Sequence, residues 1–324
     1  MSIQFKRLCA DDIIENIDYF KNCALHLSDY SAAFKIMWQD YFTEYFALVH
    51  NCLVFMEYYQ GRTYFYYPLS MGSAEDEAAA LDEIERYCRE NNVRLHYTSV
   101  PSEKLCAMVK RYGAELRMNN KRRWRDYLYN AQDFVTYGGK KFSGQRNHVN
   151  KFKKLYPQFE FCELNGSNRD EILEFLKEFE RRQLDKGTTI AREELQSVFK
   201  LTDYIDEFAL KAGGIRVDGK LVSYSVGEVC GDQLIIHVEK ALTQYEGIYA
   251  PTAHEFAKHY VTDAIAYINR EDDSGDAGLR KSKLQYNPIE LVDKYTLLPH
   301  RAIDGVSHLP SIACDRIEIR EITD

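Results

Sequence analysis

Apolar residues along this chain of 324 residues fall into a succession of helical and strand-like periods that is written twice, in the same order. In the first pass Asp11 or Asp12 caps a helix expected to end near Cys23, and alternating runs follow at 45–50, 52–59 and 63–69, the last two joined by a Gln60-Gly61 turn. Residues 74–91 place Leu81, Ile84, Tyr87 and Cys88 on one helical stripe, and a strand at 93–99, a helix at 101–112 and a strand at 123–129 complete the series. The second pass opens with a helix at 169–184, on which Ile172, Phe175, Leu176 and Phe179 share a face, and a shorter one at 192–199. Strands at 207–217 and 220–229 meet at Asp218-Gly219, a strong hairpin signal. A strand at 233–240, a helix at 252–262, a strand at 264–269, a helix at 278–285 and a strand at 291–297 close it. The repetition predicts two similar α/β units, 1–136 and 158–324. They are joined by a basic segment at 137–157 whose later part is a helix with Val149, Phe152 and Leu155 inward.

The composition agrees with a soluble globular chain of two ordinary domains: 45% of the residues are hydrophobic and 28% charged. Its 24 tyrosines sit largely in alternating apolar runs such as 64–67, which suit strands. No apolar run approaches the roughly 18–20 residues that span a bilayer, and the N-terminus lacks a signal-peptide core. The expected location is therefore the cytoplasm, with peripheral contact at the inner face of the membrane as the alternative. The eight cysteines show no C-x-x-C pair, so neither a zinc site nor a disulfide framework is indicated, and no metal site is expected.

A net charge of −8 conceals a basic block. Between Lys104 and Lys154 fourteen Lys or Arg face three acids, Glu115, Asp126 and Asp133. Such a block suits an anionic partner such as nucleic acid, a phospholipid surface or a polyphosphate cofactor, and equally a solvated face balanced by acids from elsewhere.

Three antiparallel strands, a helix, a crossover to another strand, then helix and strand resembles the GNAT acyltransferase order, here in tandem: two mixed sheets flanked by helices. The GNAT loop that cradles the acyl-CoA pyrophosphate uses backbone N–H groups at a helix N-terminus. Its counterpart here, Gln244-Tyr245-Glu246-Gly247-Ile248-Tyr249-Ala250, keeps Gln244 and Gly247 but places Tyr249 where a small residue would let phosphate approach, and adds the charge of Glu246. Met71-Gly72-Ser73 in the first half carries no such loop. The acyl donor is accordingly expected not to be CoA, with acetyl-CoA as the alternative.

Residues 268–288 read INREDDSGDAGLRKSKLQYNP. A calcium loop starting at Asp272 is not expected, because Ala277 stands where the turn needs Gly and Lys283 where it needs Glu. The pattern Asn269-Arg270-Glu271-Asp272-Asp273-Ser274-Gly275, then Gly278-Leu279-Arg280-Lys281-Ser282-Lys283 and Pro288, resembles a signature of a bacterial family related to the C-terminal catalytic domain of phosphatidylglycerol lysyltransferase. Arg146-Asn147 with Phe152 is similar to a second motif of that family, and Glu239-Lys240 to a third. Fem-type peptidoglycan aminoacyltransferases share the architecture more distantly.

The resemblance implies transfer of an aminoacyl group from aminoacyl-tRNA, as co-substrate, to a lipid head group, a peptide or a small molecule, with no other cofactor. No counterpart of the lysyltransferase's multi-span portion is expected within residues 1–324, which leaves the acceptor open. The rivals are a CoA-dependent N-acyltransferase and a noncatalytic binder of anionic lipid or RNA.

Within this frame Glu271 and Asp273 are candidates to grip an α-ammonium. Arg280 and Lys283, three apart on one helical face, would bind phosphate or a developing oxyanion, or pair internally with Asp272 or Asp273. Tyr286 is a candidate proton carrier or a core residue, and Asp276 a helix cap. Glu239, Lys240, Asn269 and Gly275 complete the substrate candidates, with Glu239 favoured to face the cleft. Arg146, Asn147 and Lys151 are the phosphate or tRNA candidates. His237, in an apolar strand, is expected to be a satisfied core residue. No Ser-His-Asp or Cys-His set stands out, which suits direct attack by the acceptor on an activated ester.

Overall fold

The computed structural model describes residues 3–113, 116–183 and 189–299. The first half contributes strands β1 (Lys6–Arg7), β2 (Glu44–Val49), β3 (Cys52–Tyr59), β4 (Arg62–Tyr66), β5 (Leu69–Ser70), β6 (Tyr97–Pro101), β7 (Arg117–Asn119) and β8 (Asp126–Asn130). The second contributes β9 (Glu160–Leu164), β10 (Lys211–Val217), β11 (Lys220–Leu221), β12 (Ser223–Cys230), β13 (Gln233–Ala241), β14 (Tyr267–Asn269), β15 (Glu290–Val292) and β16 (Lys294–Leu298). They form two mixed sheets of eight strands each. The orders are β1-β2-β3-β4-β6-β16-β7 with β5 on β3, and β11-β10-β12-β13-β14-β8-β15 with β9 on β10. Each sheet is an antiparallel meander followed by one parallel pair, β4 with β6 and β13 with β14. Helices Ala74–Glu90 and Tyr249–Tyr260 make the two crossovers. The two halves therefore repeat the GNAT-like plan.

A division of the chain at 137–157 does not divide the sheets. β8 leaves the first half and inserts between β14 and β15, and β16 leaves the second half and inserts between β6 and β7. Each half completes the other's sheet with its last strand. The run foreseen as one strand at 291–297 is two, broken at Asp293, where the chain passes from one sheet to the other.

Local chemistry fixes much of the rest. Ser73 caps the helix Ala74–Glu90 with Asp76 reciprocating, and Leu81, Ile84 and Cys88 are buried on its inner stripe. Asp218 and Gly219 both adopt left-handed φ and close the β10–β11 hairpin. The helix expected up to Cys23 is interrupted at Asn16 and forms two short helices, Ala10–Glu15 and Ile17–Lys21. Helix Ala32–Trp38 and strands β7 and β9 had no forecast. In the bridging helix Ser143–Leu155, Val149 and Phe152 are buried, while Leu155, at the fraying end, is 48% exposed. One apolar core joins the halves, running from Ile13, Phe20 and Phe55 to Ile172, Leu176 and Val226. Two further cores back the sheets, one under β3, β4 and β6 and one under helix Tyr249–Tyr260.

Candidate active site

β13 and β14 pair only between Gln233–Ile235 and Tyr267–Asn269. Beyond that β13 runs on to Ala241 while the other chain turns away after Asn269, so the sheet opens into a wedge. Side chains alternate along a strand, which would put positions 236 and 239 on opposite faces. A bulge opposite Val226 and Gly227 inserts one residue at His237 and brings Ile236 and Glu239 to the same face. Both line the wedge, together with Ser225, Phe134, Ala253, Phe256, Ala257, Ile268 and Arg270.

Arg270, the first residue past β14, fills the opening. Its Nη2 donates to Glu239 Oε2 at 2.5 Å, and its guanidinium lies over the rings of Tyr286 at 4.6 Å, Phe134 at 5.7 Å and Tyr129 at 6.0 Å. The side chains of Arg270 and Glu239 are 10% and 15% exposed. Three buried polar atoms here have no protein partner: Glu239 Oε1, Arg270 Nη1 and Ser225 Oγ. The three side chains that carry them line a cavity of about 10 Å³, room for one water. An acceptor, a cationic donor and a hydroxyl thus converge on an otherwise apolar crevice, where an unmet hydrogen bond is costly.

The signature loop beside the wedge is largely tied to itself. Asp273 is fully buried; its Oδ2 accepts from Arg280 Nε (2.8 Å), Tyr127 Oη (2.7 Å) and Arg122 Nη1 (3.1 Å), and its Oδ1 from Arg280 Nη2 and the Gly275 N–H, both at 2.9 Å. Burial alone would raise its pKa, but the Arg280 guanidinium, the Tyr127 hydroxyl and the Gly275 N–H hold the carboxyl below its usual range. Gly275 has φ +85°, the left-handed geometry that this turn needs. Asp276 caps the helix Ala277–Leu284 through the Leu279 N–H at 2.6 Å.

Lys283, on that helix, is buried and donates to the carbonyls of Arg270 (2.5 Å) and Asp272; burial lowers its pKa. Tyr286 stacks on Phe134 within the core, and burial raises its pKa. Asn269 donates to His26 O and Asp126 Oδ2 and accepts from the Glu271 N–H, which pins the halves together. Asp273 and Arg280 are therefore each other's partner, and Lys283 and Asn269 hold backbone and a buried acid.

Glu271 meets His237. The fully buried imidazole has Nδ1 2.8 Å from Glu271 Oε1 and Nε2 3.5 Å from Glu228 Oε2. Burial opposes its charge, yet Glu228 and Glu271 together push its pKa up to about 9. Glu228 also accepts the N–H groups of Ala32 and Ala33 at 3.0 and 2.8 Å, so the histidine is a link between the halves as well as a core residue. A raised histidine pKa contributes stability that is fully present below the unfolded value near 6.5 and is lost as pH rises through about 9. His237→Gln is expected to lower the melting temperature at pH 7, with the gap to wild type closing between pH 8 and 10. A gap that stays constant over that range would show the imidazole to be neutral.

Other candidates lie away from the wedge. Lys240, on the opposite face of β13, pairs with Glu194. Arg146 donates to the carbonyls of Tyr137 and, at 2.6 Å, Gly139, bracing the turn before the bridging helix. Asn147 is exposed, and Lys151 pairs with Glu246 of the 244–250 loop at 2.6 Å in an exposed ion pair. Across the basic block, Lys104, Arg111, Arg122, Arg125, Lys141, Lys151 and Lys153 all have acidic partners, so much of its charge is balanced locally. These are seven of the block's fourteen cations. Arg270 and Ser225, which the sequence did not single out, are the residues at the wedge's centre. The signal for Arg270 was its place, a lone cation directly after an apolar strand.

The family model described as "Phosphatidylglycerol lysyltransferase, C-terminal" matches residues 20–298. A crystal structure of a conserved protein of unknown function from Bacteroides thetaiotaomicron is similar with a TM-score of 0.85 and 26% identity, covering 92% of this chain and 99% of that one. The structure of L-PGS from Bacillus licheniformis superposes with a TM-score of 0.61 at 14% identity, over 90% of this chain and 93% of that one. The C-terminal domain of a putative lysylphosphatidylglycerol synthetase from Agrobacterium fabrum gives 0.63 at 13%, over 91% and 94%. An uncharacterized protein of Mycoplasmoides gallisepticum is 27% identical over 177 residues, 52% of this chain and about half (54%) of that protein's length. No helix among the described residues is long and apolar enough to cross a membrane.

Proposed function

The chain belongs to the phosphatidylglycerol lysyltransferase C-terminal family, and from that premise we propose that it moves an aminoacyl group from aminoacyl-tRNA to a nucleophilic acceptor, with the acyl group seated in the β13–β14 wedge. Fold and family make it an enzyme of the acyl- or aminoacyl-transfer type. The observation that carries the finer reading is the convergence of Glu239 Oε1, Arg270 Nη1 and Ser225 Oγ, buried and without protein partners, on one crevice.

An aminoacyl ester presents a cationic α-amine next to a carbonyl. Glu239 Oε1 would accept from the ammonium, and Arg270 Nη1 would donate to the carbonyl oxygen. The acceptor's hydroxyl or amine attacks the carbonyl carbon, and negative charge gathers on the oxygen that the guanidinium faces. The carbonyl then re-forms, the C–O bond to the tRNA ribose breaks, and the proton lost by the acceptor ends on the released ribose hydroxyl. No enzyme nucleophile is required, and positioning supplies much of the rate. The family's name suggests a lipid acceptor; a peptide or small molecule is chemically equivalent at this step.

The test is incubation of the full chain with radiolabelled aminoacyl-tRNAs and a cell lysate, followed by separation of lipid, peptide and small-molecule fractions. Label leaving tRNA for one fraction is the expected result. No transfer from any tRNA by folded protein, together with thermal stabilisation by acetyl-CoA, would replace this reading with CoA-dependent acyl transfer.

A further inference from the structure

We infer that His237 is a positioning residue that aims both Glu239 and Arg270 at the wedge; this rests on the aminoacyl reading above. The imidazole itself stays on the other side of the sheet. Val238 is buried in the apolar core that joins the halves, and His237 reaches Glu228, whose carboxylate the Ala32 and Ala33 N–H groups of the first half hold. Two neighbours on one strand thus face the seam between the halves, which a regular strand does not allow. Strict pairing would set His237 opposite Val226 and Val238 opposite Ser225, and would turn Glu239 towards the seam. The bulge at His237 returns Glu239 to the wedge, the kind of re-aiming for which bulges occur beside sites. The partner strand is shaped for it: a Cβ at Gly227 would lie 2.8 Å from Ile235 O and 3.1 and 3.2 Å from side-chain carbons of Leu234 and Ile236.

The second link runs to Arg270. His237 Nδ1 lies 2.8 Å from Oε1 of Glu271, the residue that follows Arg270 and whose φ of +56° is left-handed, a conformation that a glutamate rarely adopts. That turn carries the chain away from β13 just past Arg270, and the ion pair secures it. One imidazole thus braces the bulge that delivers Glu239 and the turn that delivers Arg270. The charged groups that face it are Glu228 from β12 and Glu271 from the loop after β14; Lys283, on the helix behind that loop, lies in the field of Glu271. The two acids favour the imidazolium, with a pKa of about 9, so at pH 7 each ring nitrogen carries a proton towards a carboxylate. Loss of one proton leaves one acid without its donor, and the brace loosens.

The test is kcat and KM for transfer from aminoacyl-tRNA by the full chain, wild type and His237→Gln, from about pH 7 to 9.5, with circular dichroism as the check of folding. At pH 7 kcat is expected to fall about 10- to 100-fold, the scale for a displaced catalytic group, and KM to rise at least about threefold, because the oxyanion donor and the amine acceptor both lose their aim. A brace needed for folding alone would reduce the amount of active enzyme, so kcat would fall with KM unchanged, and that result overturns the inference. The ratio of wild-type to variant kcat/KM should shrink as pH rises through about 9, since the substrate's own titration is common to both proteins and cancels. A constant ratio likewise overturns it. Glu271→Gln, which keeps the size of the side chain, should reproduce the fall in kcat and the rise in KM should His237→Gln not fold. Wild-type kinetics in both variants remove the positioning role and leave the aminoacyl reading standing. No transfer by folded wild type overturns both.

Discussion

Lys294→Met is expected to cost about 3–5 kcal/mol of folding stability. Lys294 is the first residue of β16 and is 7% exposed. Its ammonium contacts the carboxylate of Asp29, lies 2.8 Å from Asp126 Oδ1 and 3.8 Å from Asp272 Oδ2, and reaches Ser28 Oγ at 3.4 Å. Those acids come from an early turn, from the start of β8 and from the signature loop, so one cation neutralises carboxylates drawn from both halves. Burial opposes its charge, but Asp126, Asp29 and Asp272 raise its pKa well above the ordinary lysine value.

Methionine matches the stem and leaves the carboxylates buried without a counter-ion, which against a typical stability of about 5–15 kcal/mol threatens the fold itself. Burial, only partly offset by Lys294, pushes Asp272 up to about 6. A carboxyl whose folded pKa exceeds its unfolded value favours the folded state more as pH falls through that window. The variant's deficit should therefore shrink from pH 7 to pH 5, and Asp126→Asn should restore part of it. Urea titration of the three proteins decides the matter: a loss under about 1 kcal/mol at pH 7 would mean that the cluster carries no net charge to neutralise.

Arg270→Ala is expected to lower kcat for aminoacyl transfer by about 100- to 1000-fold, the range for loss of one preorganised donor at an oxyanion. It also strips Glu239 of its guanidinium partner and empties the slot between Tyr129, Phe134 and Tyr286. Arg270→Lys should recover little, since an ammonium neither lies flat against those rings nor offers one N–H to Glu239 while aiming another into the crevice. Glu239→Gln keeps the shape and should act mainly on KM by weakening the hold on the α-amine. The readout is single-turnover loss of label from aminoacyl-tRNA, with circular dichroism as the check of folding. Retention of more than about a third of wild-type kcat/KM by Arg270→Ala would remove it from the chemistry.

The repeated order of elements was legible because it rests on local periodicity: the stripe of Leu81, Ile84 and Cys88, the Asp218-Gly219 turn and the apolar face at Ile172 and Leu176 all act within a few residues. The exchange of β8 and β16 was not, because pairing partners are chosen over long separations and β7 and β15, the strands beside the exchanged ones, have three residues each. At the site, the sequence located the signature loop but not who holds whom. The cation–carboxylate spacing of Asp273 and Arg280 fits mutual pairing and ligand binding equally well, and geometry assigns the pairing. Glu239 reaches the wedge only through a bulge at His237 that strict alternation does not foresee, and Arg270 matters because two strands part beside it.

The exchanged strands also impose an order on synthesis. β6 and β7 emerge with a strand-wide gap between them, and the segment that fills it, β16, leaves the ribosome only after β8 to β15 have been made. Until then the nascent first sheet presents two unsatisfied edges to any extended chain nearby, its own unfinished second half included. The older sheet is thus closed by one latch, in which β16 enters it and Lys294 arrives among its acids, so that a translation product interrupted before β16 lacks both that strand and the charge that the first half needs.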